Sequence, residues 1–371
     1  MWSIDLLAFL ALLFISSCFA TGRNFTLSKE IRGQDFFNEF YWWDYTDPTH
    51  GYVDYVSKSD ARSLNLSYVN AAGNFVMQVD NTTILDAGST QGRKSIRIHS
   101  NDLMKDGILL VKINWMPQGC GTWPAFWTCT TEQWPIGGEI DIIEGANDQG
   151  PLNLASLHTD LGCSIPGAQS TLRNDTGFSS QTNCTDQPGC SIGFSQANSF
   201  GPDFNSIGGG YFAMVRDTAI GGQGISIYFW PASTSSQSIP TALLDSPLPY
   251  LTTSTNVTSL AYSTQNARWL TPAAHFPNSN SSCEMAKYYD AHNIIFDTTL
   301  CGSWAGNTFQ YNSACPNVTC QDYVASNASA FSDARWEIEY LRVYTDPSDS
   351  GTGQLSNSAL LASSATATTL L

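Results

Sequence analysis

Three acidic side chains stand close together in the apolar stretch "GGEIDIIEGANDQ", Gly137 to Gln149. Glu139 and Asp141 are two residues apart, so on a β-strand they share one face while Ile140 and Ile142 share the other. Glu144 follows three residues after Asp141, which in a regular strand would put it among the isoleucines. Burying an unpaired carboxylate there would cost several kcal/mol. One extra residue, a β-bulge at Ile142 or Ile143, returns Glu144 to the acidic face. Glu139 and Glu144 would then lie about four strand steps apart, on the order of 13 Å between Cα atoms. Side chains leaning together across a concave face can close most of that gap. At roughly 5–5.5 Å between carboxyl groups, one serves as nucleophile and the other as acid and base in cleaving a glycosidic bond with retention. Asp141 between them can hydrogen-bond the nucleophile and help hold the glutamates in opposite protonation states. On the strand alone, a surface strand with an acidic polar face explains the pattern equally well.

The surroundings favour a site. "GCGTWPAFWTCTTEQWPIGGEIDIIEG" places Trp123, Trp127 and Trp134 just ahead of the acids. The Gly, Pro and Thr around them predict loops, where a large aromatic side chain either packs or binds, and flat aromatic faces stack on sugar rings. The elements that must carry these residues read as short strands: "KSIRIHS" (Lys94–Ser100), "ILLVKINW" (Ile108–Trp115), "YFAMVR" (Tyr211–Arg216), "ISIYFW" (Ile225–Trp230), "NIIFD" (Asn293–Asp297) and "WEIEYLRVY" (Trp336–Tyr344). Each is rich in β-branched or aromatic residues and bounded by Gly, Pro, Asn or Ser. With no long amphipathic helix and no repeat, the pattern predicts an all-β, antiparallel sandwich or barrel. Residues 160–208 read as long loops.

The chain ends are different in kind. Residues 1–20 contain the apolar run Leu6–Ile15 ahead of Cys18-Phe19-Ala20 and read as a secretory signal. About ten apolar residues are too few to span a bilayer. Residues 347–371 are rich in Ser and Thr and read as a flexible tail; the Ser and Thr interrupting "ALLASSATATTLL" set it apart from a lipid-anchor signal. Removing residues 1–20 leaves about 350 residues, of which 21–346 read as one large β domain. Charged residues make up only 13% of the chain, and nine Asn-X-Ser/Thr sequons (Asn24, Asn65, Asn81, Asn174, Asn183, Asn256, Asn280, Asn317, Asn327) suggest a glycosylated, extracellular or cell-wall protein. A formal charge of −16 excludes nucleic acid as the natural partner and disfavours acidic polysaccharide, leaving a neutral one. Nine cysteines remain once Cys18 leaves with the signal, an odd number. They show no Cys-x-x-Cys spacing and the histidines are scattered, so disulfides rather than metal ligation are expected.

"GEIDIIEG" matches the E-[IVL]-D-hydrophobic-hydrophobic-E signature of glycoside hydrolase family 16, in the spacing of its bulge-containing branch. "DPTHGYVDYV", "MPQGCGTWPAFW", "LHTD", "SFGPDFN", "HFPN" and "LRVYTD" extend the resemblance to basidiomycete-type endo-β-1,3-glucanases (laminarinases) over most of residues 21–346. The resemblance implies a concanavalin A-like β-jelly-roll sandwich with a concave substrate cleft, acting as a monomer on internal β-1,3, or mixed β-1,3/1,4, bonds of neutral β-glucan. By motif position Glu139 is the nucleophile, Glu144 the acid/base and Asp141 the helper. Trp127, Trp134 and Trp304 resemble the family's sugar-stacking tryptophans, and His158 and Arg97 its cleft histidine and arginine; Trp123 is expected in the core. No metal or cofactor is needed for this chemistry. Wall-glucan transglycosylation and non-catalytic glucan binding on the same fold are the alternatives. Cys129 is the one cysteine at an unfamiliar position and is expected to be unpaired; short spacing makes Cys184–Cys190 and Cys315–Cys320 candidate pairs.

Overall fold

The computed structural model describes residues 23–347 apart from 87, 131–132, 166–177, 235, 237–238, 245 and 253–270. The expected signal at 1–20 and all but the first residue of the expected tail lie outside the described residues, as do Asn174 and Asn256. Two antiparallel sheets dominate. The outer sheet runs in the order β16 (Tyr250–Thr252), β1 (Asn24–Ile31), β19 (Arg335–Thr345), β8 (Gly107–Trp115), β14 (Gly210–Asp217), β15 (Gly224–Pro231), β17 (Ala274–Pro277), with β5 (Phe75–Gln78) and β4 (Ser67–Val69) continuing from β19. The inner sheet runs β12 (Phe178–Gln181), β13 (Cys190–Gly193), β11 (Leu154–His158), β10 (Glu139–Glu144), β9 (Thr122–Thr130), β18 (His292–Leu300), β7 (Arg97–Ser100), β2 (Phe40–Trp42). A small parallel pair joins β3 (Val53–Tyr55) to β6 (Arg93–Ser95). This is the jelly-roll sandwich expected from the sequence.

Alternation of side chains builds the core between the sheets. On β8, Leu109, Val111 and Ile113 point into it, and on β14 and β15 Phe212, Met214, Ile225, Ile227 and Phe229 do the same. The other face of these strands, Ile108, Leu110, Ala213, Val215, Tyr228 and Trp230, is covered by Ile239, Leu243 and Leu251. The inner sheet answers with Phe126, Ile140, Ile142, Ile143, Ile294 and Phe296. Its opposite face is the cleft.

Three expectations need correction. Lys94–Ser100 is not one strand: Ile96 breaks it into β6 and β7, which belong to different sheets. The stretch 160–208 holds β12, β13 and a short helix, Gly201–Ser206, among its loops. Trp123 and Trp127 lie not in a loop but in β9. Pro124, the residue that argued against a strand there, sits where β10 has already ended at Ala125, so its missing N–H interrupts little. Among the described residues the α-helices are short, the longest being Cys320–Ser326, and none is long and apolar enough to cross a membrane.

Four disulfides tie the loops: Cys120–Cys315, Cys163–Cys283, Cys184–Cys190 and Cys301–Cys320. Cys129 is free and buried. The Cys184–Cys190 pair is as expected, whereas Cys315 and Cys320, though close in sequence, each bridge to an end of an inner strand instead. Alkylation of the denatured, non-reduced protein followed by peptide mapping should label Cys129 alone. A label missing from Cys129, or a Cys315–Cys320 peptide, would contradict this connectivity.

Candidate active site

The acidic strand β10 is bulged. Glu139, Ile140 and Asp141 pair in regular order with Cys129, Thr128 and Trp127 of β9, but Phe126 then faces Ile143 and Ala125 faces Glu144. Ile142 is the extra residue. Both Ile142 and Ile143 are fully buried in the core, and Glu139, Asp141 and Glu144 all reach the cleft face. A bulge strands backbone polar groups, and here one side chain satisfies two of them. Asn153, itself buried, donates from Nδ2 to the Ile142 carbonyl (2.8 Å) and accepts the Glu144 N–H at Oδ1 (3.1 Å). Its own N–H is held by Ser199 Oγ (2.9 Å).

The other end of β10 is set by the Gly137–Gly138 turn, both with φ near +85°. A Cβ at Gly138 would lie 2.6 Å from the Tyr289 ring, so both conformation and space require glycine. His292 clamps this turn: Nε2–H donates to the Gly137 carbonyl (2.8 Å) and Nδ1 accepts from the Thr128 hydroxyl (2.9 Å). Burial holds His292 well below the ordinary histidine range, so it stays neutral.

The acids differ in environment. Burial raises Glu144 to about 7, although Trp123 Nε1–H donates to its Oε1 (2.8 Å) and favours the charged form; the Glu139 charge adds to the rise. Asp141 is driven well above the usual carboxylate range by burial and then by the Glu139 and Glu144 charges. Its Oδ2 lies 3.2 Å from His158 Nε2. Burial disfavours charge on His158, but Asp141 and Glu139 outweigh it and lift the ring to about 10. Nδ1–H of that ring donates to the Asp186 carbonyl (2.8 Å), which aims Nε2 at Asp141. The Asp141–His158 pair therefore retains a proton at neutral pH. Glu139 accepts from Trp134 Nε1–H and touches Cys129 Sγ (3.9 Å), which burial keeps as the thiol.

Trp134 is 37% exposed and its ring is 6.0 Å from that of His158. Trp127 is half-buried on β9, directly opposite Asp141. Arg97 is on the cleft face but buried, with its guanidinium 4.3 Å from the ring of Trp43 and 4.9 Å from that of Trp127. Trp304 meets Trp123 edge-on, 5.7 Å between centroids. The expectation for Trp123 is overturned: it lines the cleft and bonds Glu144, because residues 123, 125, 127 and 129 of β9 all face the same way as the acids.

Several residues here escaped sequence reasoning. Asn153 and Asp186 act through backbone groups and leave no local signal. Trp43 and His99 build the aromatic wall beyond Arg97, with Arg97 Nε–H donating to His99 Nε2 (2.9 Å). Asp297, raised to about 7 by burial against the opposing pull of Arg97, faces Ala125 on the cleft side. Its signal was available: Asn293, Ile295 and Asp297 alternate with the core residues Ile294 and Phe296.

A family model described as "XgeA-like, catalytic GH16 domain" matches residues 40–344. The chain belongs to glycoside hydrolase family 16. A protein named "Probable endo-1,3(4)-beta-glucanase" from Aspergillus fumigatus is 36% identical over 335 residues, covering 87% of this chain and 46% of the relative. The chain thus spans about half the length of the curated Aspergillus relatives it matches. Among solved structures, GH16 Laminarinase 16A from Phanerochaete chrysosporium, with 6-O-glucosyl-laminaritriose in donor and acceptor sites, is 37% identical. It superposes with a TM-score of 0.76 over 87% of this chain and 100% of that one. An elongating GH family 16 beta-1,3-glucosyltransferase is 33% identical, TM-score 0.72, covering 86% of this chain and 100% of that one.

Two substitutions in this family 16 cleft test the geometry. Asn153→Ala leaves two buried backbone groups at the bulge unsatisfied and should destabilise the fold by about 2–4 kcal/mol in denaturant unfolding; a change under about 0.5 kcal/mol would show that the amide does not hold the bulge. Trp123→Phe removes a hydrogen bond to the charged form of Glu144 and should raise its pKa above about 7, by about one unit. A 13C titration of labelled glutamate would read this, and an unchanged or lower value would contradict it.

Proposed function

We propose that this chain is a retaining endo-β-glucanase that hydrolyses internal β-1,3 bonds, and mixed β-1,3/1,4 bonds, of neutral β-glucan. Glu139 is the nucleophile, Glu144 the acid/base and Asp141 the helper, with Trp127, Trp134, Trp304, His158 and Arg97 holding substrate. The observation that carries this reading is a pair of glutamates brought to one face by a bulge, with Glu144 poised at about 7.

In the first step a Glu139 oxygen attacks the anomeric carbon while Glu144 gives its proton to the departing glycosidic oxygen. A glycosyl ester on Glu139 results, with inverted configuration. That ester carries no charge, so one of the causes raising Glu144 disappears and its carboxyl becomes more acidic. Glu144 is then a carboxylate ready to take a proton from water as the water oxygen attacks the anomeric carbon. The ester bond breaks, Glu139 regains its charge and the second inversion restores the β-configuration. Trp134 N–H on Glu139 and the proton held by the net-neutral Asp141–His158 pair support the returning charge.

Water and a second sugar compete for the same ester. The likeness to a glucosyltransferase of this family favours transfer as a second outcome at high acceptor concentration. Among the described residues four disulfides fit an oxidising compartment, which supports secretion to the medium or wall.

Glu139→Ala and Glu144→Ala should each lower kcat on laminarin at least about 10³-fold, about 4 kcal/mol of barrier. With a good leaving group and added azide, Glu139→Ala should give the α-glycosyl azide by single displacement, and Glu144→Ala the β-azide through the intact ester. Azide products of the opposite anomers would exchange the two roles; wild-type turnover in Glu139→Ala would remove it from catalysis.

A further inference from the structure

We propose that the cleft also binds one zinc-class divalent cation through Glu139, Asp141 and His158, and that this ion inhibits the enzyme reversibly by competing with glucan. One ligand atom from each of these three residues lies within 4.8 Å of the other two, the one such group among the described residues. Asp141 Oδ2 and His158 Nε2 are 3.2 Å apart. That is about the edge of a tetrahedron whose centre is roughly 2.0–2.2 Å from a nitrogen and an oxygen ligand. Asp141 is 2% exposed, and its Oδ2 receives no well-directed hydrogen bond despite the nearby ring. An ion between the two would use both atoms.

The supporting structure suits a metal. His158 donates Nδ1–H to the Asp186 carbonyl, which orients the ring with Nε2 toward Asp141, as outer partners do for metal-bound histidines, and an ion bound there takes the place of the proton this pair otherwise holds. Glu139 and His158 are paired directly across β10 and β11, and Asp141 follows two residues on along the same face, so all three ligands stand on sheet rather than loop. A compact set of one imidazole and two carboxylates fits zinc. Calcium takes six to eight oxygens, and magnesium keeps a water-rich octahedron of oxygens. A dication also offsets the repulsion among Glu139, Asp141 and Glu144. Cys129 touches Glu139 but stands outside the three-ligand group and is not a ligand.

Inhibition, but not binding, rests on the catalytic reading: an ion held by Glu139 occupies the carboxylate that must attack. The test is Zn²⁺ titration of the full chain by calorimetry, with Co²⁺ as a spectroscopic probe. Wild type should bind one Zn²⁺, and laminarin should displace it. Asp141→Asn and His158→Gln, each checked for an unchanged circular dichroism spectrum, should weaken binding at least about 10-fold. Co²⁺ should give tetrahedral visible bands without a thiolate band, unchanged in Cys129→Ser. Zn²⁺ should inhibit laminarin hydrolysis competitively, and EDTA should restore it. No stoichiometric binding, binding undiminished in both variants, failure of laminarin to displace the ion in wild type, or a cobalt–thiolate band would each overturn the proposal. Stoichiometric zinc in a protein without turnover would leave the metal site standing and remove the glucanase reading; turnover without zinc binding would do the reverse.

Discussion

One amide holds the acidic face of the inner sheet together. Six residues of β10 have to serve two solvents, isoleucines for the core and acids for the cleft, and strict alternation cannot deliver both Asp141 and Glu144 to one side. The extra residue Ile142 solves the phase problem but breaks the ladder. Asn153 reaches across from the start of β11 to cap the Ile142 carbonyl and the Glu144 N–H together. It has the one side chain that donates and accepts from a single planar group at the right spacing. Without that cap the bulge would expose two polar groups to a dry core, and the regular strand, with Glu144 turned inward, would be the competing structure.

The second constraint is electrostatic. Glu139, Asp141 and Glu144 crowd one face, and the adjacent cation is a single histidine, His158, set against Asp141 rather than between the glutamates. This arrangement separates the acids by environment. Asp141 and His158 hold a proton between them, while Glu144 is raised by burial against the opposing Trp123 indole donor and the His158 charge. The Glu139 charge adds to that rise. A cleft more open to water would screen that coupling.

Much of this was legible in the chain. An antiparallel sandwich or barrel followed from short β-branched runs, the jelly-roll sandwich from the family resemblance, and the bulge from a single three-residue step where two were due. What escaped did so for identifiable reasons. Pro124 masked β9 as a loop, because a proline is tolerated at the one point where a neighbouring strand has ended, and pairing ends are not written in the sequence. Missing β9 in turn sent Trp123 to the core, although its phase with Trp127 placed both on one face. Asn153 and Asp186 were invisible because Asn153 bonds the backbone of Ile142 and Glu144 and Asp186 offers its own carbonyl to the His158 ring, and any short loop could have supplied such partners. Cys315 and Cys320 misled through proximity: five residues apart, they bridge instead to Cys120 and Cys301, at the start of β9 and the end of β18.

The disulfides show how the loops come to share in the site. By loop entropy alone, Cys120–Cys315, 195 residues apart, constrains the unfolded chain by roughly 5 kcal/mol, and Cys184–Cys190, six apart, by only roughly 2. The short bridge is thus the weaker stabiliser, yet it encloses Asp186, whose carbonyl fixes the His158 ring. Gly189 within the same loop passes so close that a Cβ there would lie 2.6 Å from that ring. A loop so tightly packed against a histidine cannot drift without turning it. Cys120–Cys315 and Cys301–Cys320 do the equivalent at the other end of the cleft, tying the segment that carries Trp304 to the strand ends beside Trp123. The sheet fixes the acids, and the bridged loops fix the rings beside them; neither alone would shape the cleft.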